Sequence, residues 1–81
     1  MLPLPFETSP YYEGFADKPF EEQLSLVRWY RDISLQFTDW TQVPDAPVDR
    51  EAWRVYRQAM RDFPSSWDGT IPVPFPARPE V

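Results

Sequence analysis

The chain has 81 residues, with 13 Asp or Glu against 8 Lys or Arg, a formal net charge of −5, and neither cysteine nor histidine. An acidic chain gains nothing from contact with phosphates, so we expect it to bind neither nucleic acid nor an anionic membrane surface. The lack of cysteine and histidine excludes disulfides, thiolate and imidazole metal ligands, and the commonest general base.

Aromatic residues and prolines dominate the composition. The chain contains 17% aromatic residues and 11 prolines but only 2 glycines. Proline stiffens extended segments, and large aromatic side chains offer contact area at low entropic cost. A core this small cannot easily enclose so many rings, so we expect some of them to contact a partner protein.

Nothing in the sequence indicates a membrane or a secretory route. No apolar run approaches the roughly 18 residues that span a bilayer. The start of the chain, Met1–Tyr12, lacks the basic and apolar regions of a signal peptide. We therefore expect a cytoplasmic site of action.

An N-terminal arm is predicted over residues 1–16, which mix proline with aromatic residues. Proline alternates with apolar residues in Leu2–Phe6, and this pattern favours an extended backbone. The arm resembles the C-terminal tail in character, so the two could clasp a partner together.

A first helix is predicted over about residues 18–37, with Asp17 as its N-cap and Pro19 where a missing N–H is tolerated. Apolar residues recur there at steps of 4, 3, 3, 3 and 4, which indicates one face of a helix. These positions are Phe20, Leu24, Val27, Tyr30, Ile33 and Phe37, of which Leu24, Val27, Tyr30 and Ile33 are assigned to the core.

A stiff connector follows over residues 41–47, because Pro44 and Pro47 each force extended backbone before them. Trp40 precedes this connector. Two interpretations of Trp40 stay open: it covers the open end of a helical hairpin, or it is an exposed anchor for a partner.

A second helix is predicted from Asp49 or Arg50 to about Asp62, with Asp49 as its N-cap. Pro64 is expected to end this helix near Phe63. The residues assigned to the core on this helix are Trp53, Tyr56 and Met60.

Two helices of this length with a short connector pack as an antiparallel pair. The sequence therefore predicts an all-α fold, a small antiparallel helical hairpin over residues 17–63 with extended Pro-rich N- and C-terminal arms. The arms are residues 1–16 and 64–81.

Four arginines form a second stripe on the second helix, about 100° from its aromatic stripe. One interpretation is a solvated face with acidic neighbours. The other is a patch that binds carboxylates of a partner protein. The stripe is Arg50, Arg54, Arg57 and Arg61, of which the last three are candidate partner-binding residues.

Proline at every second position from 72 to 76 makes the C-terminal tail extended. The tail is either disordered in the free protein or a preformed peptide that docks into a groove of a partner. Ile71, Phe75 and Pro76 are its candidate contacts, with Phe75 as the anchor. Trp67 either folds back on the hairpin or inserts into a partner pocket.

We assign no catalytic, cofactor or metal site. Ser65 and Ser66 have no basic residue near them that could activate a hydroxyl. The carboxylates around the connector, Asp39, Asp45 and Asp49, lack the spacing and the glycine of a calcium-binding loop.

The pair Asp39-Trp40, followed by the run Trp53–Pro64 (WRVYRQAMRDFP), resembles the phage tail assembly chaperone (tail-fibre assembly) family. The resemblance covers roughly Gln23 to Pro79, although Met60 stands where the family usually has leucine. Residues 1–16 do not resemble the larger N-terminal portion that some members carry.

The resemblance implies a non-enzymatic helper in the cytoplasm of the infected host. Its expected partner is a phage tail-fibre or another tail protein, with several copies bound per fibre trimer. A structural adaptor that remains on the tail fibre or baseplate of the virion is the alternative, favoured by the two arms. An acidic DNA mimic is disfavoured, because the acidic residues are spread along the chain.

Overall fold

The computed structural model describes residues 5, 6, 9 and 12–79 and is all-α in that range. Its two helices are α1, Phe20–Thr38, and α2, Arg50–Ser66, and no strand occurs among the described residues. Short 3-10 helices at Phe15–Asp17 and Asp39–Gln42 precede and follow α1. Most of the predicted run Leu2–Phe6 lies outside the described residues.

α1 begins later than predicted. Its N-cap residue is Pro19, which offers no side-chain capping bond, so the assignment of Asp17 as N-cap is wrong. Asp17 instead ends the 3-10 helix that precedes α1. The physical reason is that the residue before a proline is pushed out of the helical region, and Lys18 is extended at φ −82° and ψ 151°.

The buried face of α1 is half polar. The apolar stripe predicted from Phe20 to Phe37 averages about 3.4 residues per step, which falls short of 3.6 and therefore drifts around the helix. As a result Phe37 is 41% exposed, whereas Phe20, which is 45% exposed, is the first residue of the helix. The buried positions are Gln23, Val27, Tyr30, Ser34 and Thr38.

α2 begins as predicted, because the Asp49 carboxylate accepts a hydrogen bond from the N–H of Ala52 at 3.1 Å. The expectation that Pro64 ends the helix is wrong, since α2 continues to Ser66. Pro64 lies in the final turn, where few helical bonds remain to be lost, and its ring is buried. The N–H of Trp67 then closes the helix on the carbonyl of Phe63 at 3.1 Å.

The two helices run antiparallel. At one end the ring of Phe20 stacks on that of Trp67, with centroids 5.4 Å apart. At the other end the side chain of Gln42 donates to the carbonyl of Arg50 at 3.1 Å. The buried faces of the two helices therefore lie against each other along most of their length.

The core lies between the helices and extends under both terminal segments. Of the residues assigned to it from sequence, Leu24 is half-buried and packs against it, whereas Ile33 is half-buried and does not belong to the buried cluster. Ile33 is displaced by the drift of the stripe, and the buried Ser34 takes its place. The buried apolar residues are Phe6, Phe15, Val27, Tyr30, Trp53, Tyr56, Met60, Trp67 and Val73.

The described residues of the flanking segments before α1 and after α2 form no α-helix or strand, but they pack against the two helices. Phe6 is 1% exposed and meets the rings of Phe15 and Tyr30 at centroid distances of 5.3 and 5.4 Å. Gln23 on α1 donates to the carbonyl of Phe15 at 2.9 Å. Two short helices cannot enclose this many rings alone, so the flanking segments complete the core.

Candidate protein-binding groove

Arg57 is turned into the fold. It is 7% exposed, and its guanidinium donates to the carbonyl of Leu35 and to the hydroxyl of Thr38, both at 2.7 Å. A further bond runs to the carboxylate of Asp39 at 2.6 Å. The Leu35 carbonyl lies in the last turn of α1 and also accepts from the Thr38 hydroxyl at 3.3 Å, so Arg57 reinforces that end of the helix from α2.

The proposal that Arg57 contacts a partner protein is therefore contradicted by its burial. The reason lies in the helix geometry: at 100° per residue, Arg57 is only about 40° from Trp53, whereas Arg54 is about 100° away. Arg54 and Arg61 are exposed. Arg54 is bound by Glu51 one turn away, at 2.7 to 3.0 Å.

An open groove lies between the helices and the two terminal segments. It has a volume of about 390 Å³. α1 and α2 each contribute a tyrosine to it, the N-terminal segment contributes a proline and a phenylalanine, and the tail contributes the rest. We call it the Tyr30 groove, and its lining is Pro5, Phe6, Tyr30, Tyr56, residues 73–76 and Arg78.

Tyr30 and Arg78 form the polar part of the Tyr30 groove. Arg78 donates from its guanidinium to the Tyr30 hydroxyl at 3.1 Å. Burial raises the pKa of Tyr30 above its usual value, and the nearby Arg78 charge opposes that rise. The Tyr30 hydroxyl is therefore protonated at neutral pH.

The tail packs on its own chain. The ring of Phe75 meets Tyr30, Phe63 and Phe6 at centroid distances of 4.8, 5.0 and 5.4 Å. Val73 is buried, so the interpretation of the tail as a free peptide does not hold for the described residues. Side-chain packing holds the tail against the helices. The backbone hydrogen bond from the N–H of Phe75 to the carbonyl of Val73 lies within the tail itself.

The other candidate partner contacts differ in accessibility. Trp67 is 6% exposed and folds back on the hairpin, and its indole N–H donates to the carbonyl of Thr70 at 3.0 Å. It is therefore not available to a partner pocket. Trp40 is half-buried at the connector end, and Ile71 is 39% exposed. Pro76 is half-buried in the wall of the Tyr30 groove.

Within residues 5, 6, 9 and 12–79, no group of acidic side chains has the arrangement of a metal site. In the same part of the chain, no helix has both the length and the apolarity that membrane crossing requires.

Sequence reasoning did not single out Arg78, and it assigned Tyr56 and Arg57 to other roles. Arg78 follows the proline run and carries no periodic signal, so its contact with Tyr30 is visible only in the fold. Tyr56 was assigned to the core, but its side chain also lines the groove. The inward turn of Arg57 could have been found, because it is the stripe arginine nearest in angle to Trp53.

Comparison with known proteins gives one family. The family model described as phage tail assembly chaperone protein matches residues 24–80. The matched range contains both helices from Leu24 onward, the Arg57 contacts and most of the groove lining. Neither curated proteins nor solved structures gave a match.

Proposed function

Because this chain belongs to the phage tail assembly chaperone family, we propose that it binds a tail-fibre or another tail protein stoichiometrically in the host cytoplasm and assists its folding, trimerisation or attachment. The observation that carries the proposal is the family match, which spans residues 24–80. A holding role agrees with the sequence, which contains no glycine-rich nucleotide loop that could drive a cycle.

Physical chemistry supplies a reason for such a helper. A fibre subunit exposes apolar surface and unpaired strand edges before it trimerises, and these surfaces aggregate. A small chain of net charge −5 that covers them keeps the complex soluble. Among the described residues, the exposed large apolar side chains available for this purpose are Phe20, Phe37, Val43, Val55 and Ile71.

The contact surface that we propose differs from the one suggested by sequence alone. Arg57 and Trp67 are withdrawn, because both are buried within the chain. The remaining candidates form part of the exposed surface or of the groove wall. They are Trp40, Arg54, Arg61, Ile71, Phe75 and Pro76.

We favour a transient chaperone over a retained virion adaptor. The adaptor hypothesis depended on two free arms that clasp a partner permanently. The described flanks instead pack on the helices of the same chain, with Phe6 and Val73 buried. We expect mass spectrometry of purified virions to detect no copies of the chain, and a stoichiometric amount there would favour the adaptor.

Co-expression tests the chaperone function directly. The tail-fibre gene of the same phage is expressed alone, with this chain, or with a Trp53→Ala variant that removes a fully buried ring. We expect the wild-type chain to raise the yield of soluble fibre trimer several-fold and the variant to fail. A fibre that trimerises equally well alone would refute the proposal. Native mass spectrometry of the complex then counts the copies per trimer.

A further inference from the structure

We propose that the end of the hairpin around Phe20 binds a basic segment of the client tail protein, with an arginine side chain of that segment packed on the Phe20 ring. We call this area the Phe20 surface and define it as residues 17–22 and 67–71. The inference rests on the proposed function for the identity of the client. It goes further by assigning a site and the chemistry that the site recognises.

The exposed ring of Phe20 is held in a fixed position. Phe20 is the first residue of α1 and is 45% exposed. Its ring stacks on the ring of the buried Trp67, with centroids 5.4 Å apart and an interplanar angle of 15°. Trp67 is itself fixed, because its indole N–H donates to the carbonyl of Thr70 at 3.0 Å. An exposed ring that is already immobilised loses little conformational entropy when a partner side chain packs on it.

The loop after α2 leaves apolar surface open beside this ring. Gly69 has φ +98°, and a Cβ at this position would lie 3.6 Å from two carbons of the Phe20 ring. The glycine therefore leaves space that a side chain would fill. Ile71, two residues later, is 39% exposed and adds an aliphatic side chain to the same loop. This end of the hairpin thus offers both an aromatic and an aliphatic contact to a partner.

Carboxylates dominate the charge of the Phe20 surface. Its residues include one cation, Lys18, and four acidic side chains that are all exposed: Asp17, Glu21, Glu22 and Asp68. The nearest arginine along α2 is Arg61, six residues before Trp67, which is about 9 Å of helix. Residues 39–57, at the opposite end of the hairpin, carry four acidic side chains but also three arginines. More of the excess negative charge of the chain therefore lies at the Phe20 surface than at the connector end.

An aromatic ring surrounded by carboxylates complements a guanidinium. Arginine stacks on aromatic faces, and its N–H groups pair with carboxylates at the same time. A purely apolar ligand would gain nothing from the carboxylates. A second copy of this chain would bring its own carboxylates to the contact, and like charges repel. Charge complementarity therefore favours a basic segment of another protein as the occupant.

Two synthetic peptides test the inference with the purified full chain. The probes are acetyl-Leu-Arg-Leu-Arg-amide and the same peptide with citrulline in place of arginine, which keeps the side-chain shape and removes the charge. NMR titration measures both affinities, and the indole N–H signal of Trp67 reports on the site because its ring stacks on Phe20. We expect the arginine peptide to bind about tenfold more tightly, through the combined effect of the ring and the carboxylates. The largest shifts should be those of Phe20, Trp67 and Ile71.

Matched variants test the ring. Phe20→Leu keeps an apolar side chain at the start of α1 and should weaken the arginine peptide about threefold, because the cation loses its aromatic partner. Phe37→Leu changes another exposed phenylalanine of α1, 41% exposed and near the opposite end of the helix, and should leave the affinity unchanged. Circular dichroism of both variants checks that the helices are intact.

A second pair of variants tests the charge. Glu21→Gln removes one exposed carboxylate next to Phe20 and should weaken the arginine peptide about threefold while leaving the citrulline peptide unaffected. Asp45→Asn removes an exposed carboxylate from the connector and should change neither affinity. This pair tests the site even if Phe20→Leu disturbs the packing of Trp67.

Four results would overturn the inference. They are equal affinity for the two peptides, binding of neither peptide, equal losses in the Phe20 and Phe37 variants, and shifts of Trp67 that depend on protein concentration without peptide. The last result would assign the surface to a second copy of the chain. These outcomes are independent of the chaperone test, because no phage tail protein is present. A chain that raises the fibre yield but does not discriminate between the peptides would keep the proposed function and lose this site.

Discussion

The guanidinium of Arg57 lies 2.6 Å from the carboxylate of Asp39, which comes directly after α1, 18 residues earlier in the chain. The same side chain donates to Leu35 and Thr38 in the last turn of α1. The acidic residue before Trp40 and the arginine after Tyr56 therefore meet in space. Asp39 and Arg57, two residues of the motif that carries the family resemblance, link the end of α1 to α2.

Arg57→Gln should destabilise the protein strongly. The substitution removes guanidinium donors from the half-buried Leu35 carbonyl and the buried Thr38 hydroxyl, at a cost of about 2–3 kcal/mol. A domain of this size has only a few kcal/mol of stability. Urea denaturation followed by circular dichroism should show a large decrease in the midpoint.

Arg54→Gln is the control for that measurement. Arg54 lies one turn away on the same helix and pairs with Glu51 on the exposed surface, where ion pairs contribute little. Its midpoint should stay close to that of the wild type. Equal loss in both variants would show that the Arg57 contacts add nothing beyond a surface charge.

Trp53→Ala should unfold the chain at ambient temperature. Trp53 is fully buried between the helices, and truncating a buried tryptophan costs about 3–5 kcal/mol. Val55→Ala on the same helix changes a side chain that is 56% exposed, and should shift stability by less than about 0.5 kcal/mol. Far-ultraviolet circular dichroism distinguishes the two outcomes, and a folded Trp53→Ala variant would contradict the assigned core.

Phe75→Ala should lower the stability of the helices as well as that of the tail. The ring contacts Phe6, Tyr30 and Phe63, and its half-buried area corresponds to about 1–2 kcal/mol. Ile71→Ala, at a more exposed tail position, should cost less. Thermal denaturation measures both, and an unchanged transition in Phe75→Ala would mean that the tail does not pack on the helices in solution.

Stability should fall with rising pH above about 10, where an unburied tyrosine ionises. Burial raises the pKa of Tyr30 in the folded state, so the unfolded state releases its proton first and gains from high pH. The contribution is complete below the unfolded pKa and is lost as pH rises through the folded one. Tyr30→Phe should therefore show a shallower decline in urea denaturation between pH 9 and 11, and an unchanged slope would contradict this assignment.

The sequence predicted the existence and order of the helices better than it predicted their contacts. The N-cap at Asp49 followed from residue type, because the capping bond to Ala52 is local. The start of α1 differs from the predicted one because Pro19 keeps Lys18 out of the helical region, at φ −82° and ψ 151°. The burial of Gln23 and Thr38 could not be predicted from hydrophobicity, because it depends on hydrogen-bond partners that the fold supplies, the carbonyls of Phe15 and Ser34.

Local rules thus determined on their own that the chain is acidic and all-α, whereas the resemblance to the tail assembly chaperones came from the pair Asp39-Trp40 and the run Trp53–Pro64. Capping, helical periodicity and proline geometry depend on residues that are close together in the sequence. Tertiary structure alone decided that Arg57 turns inward, that Phe6 and Phe75 share a cluster, and that Arg78 reaches Tyr30, 48 residues away. Such contacts depend on how much apolar surface the two short helices leave uncovered. This area is determined only when the helices pack against each other.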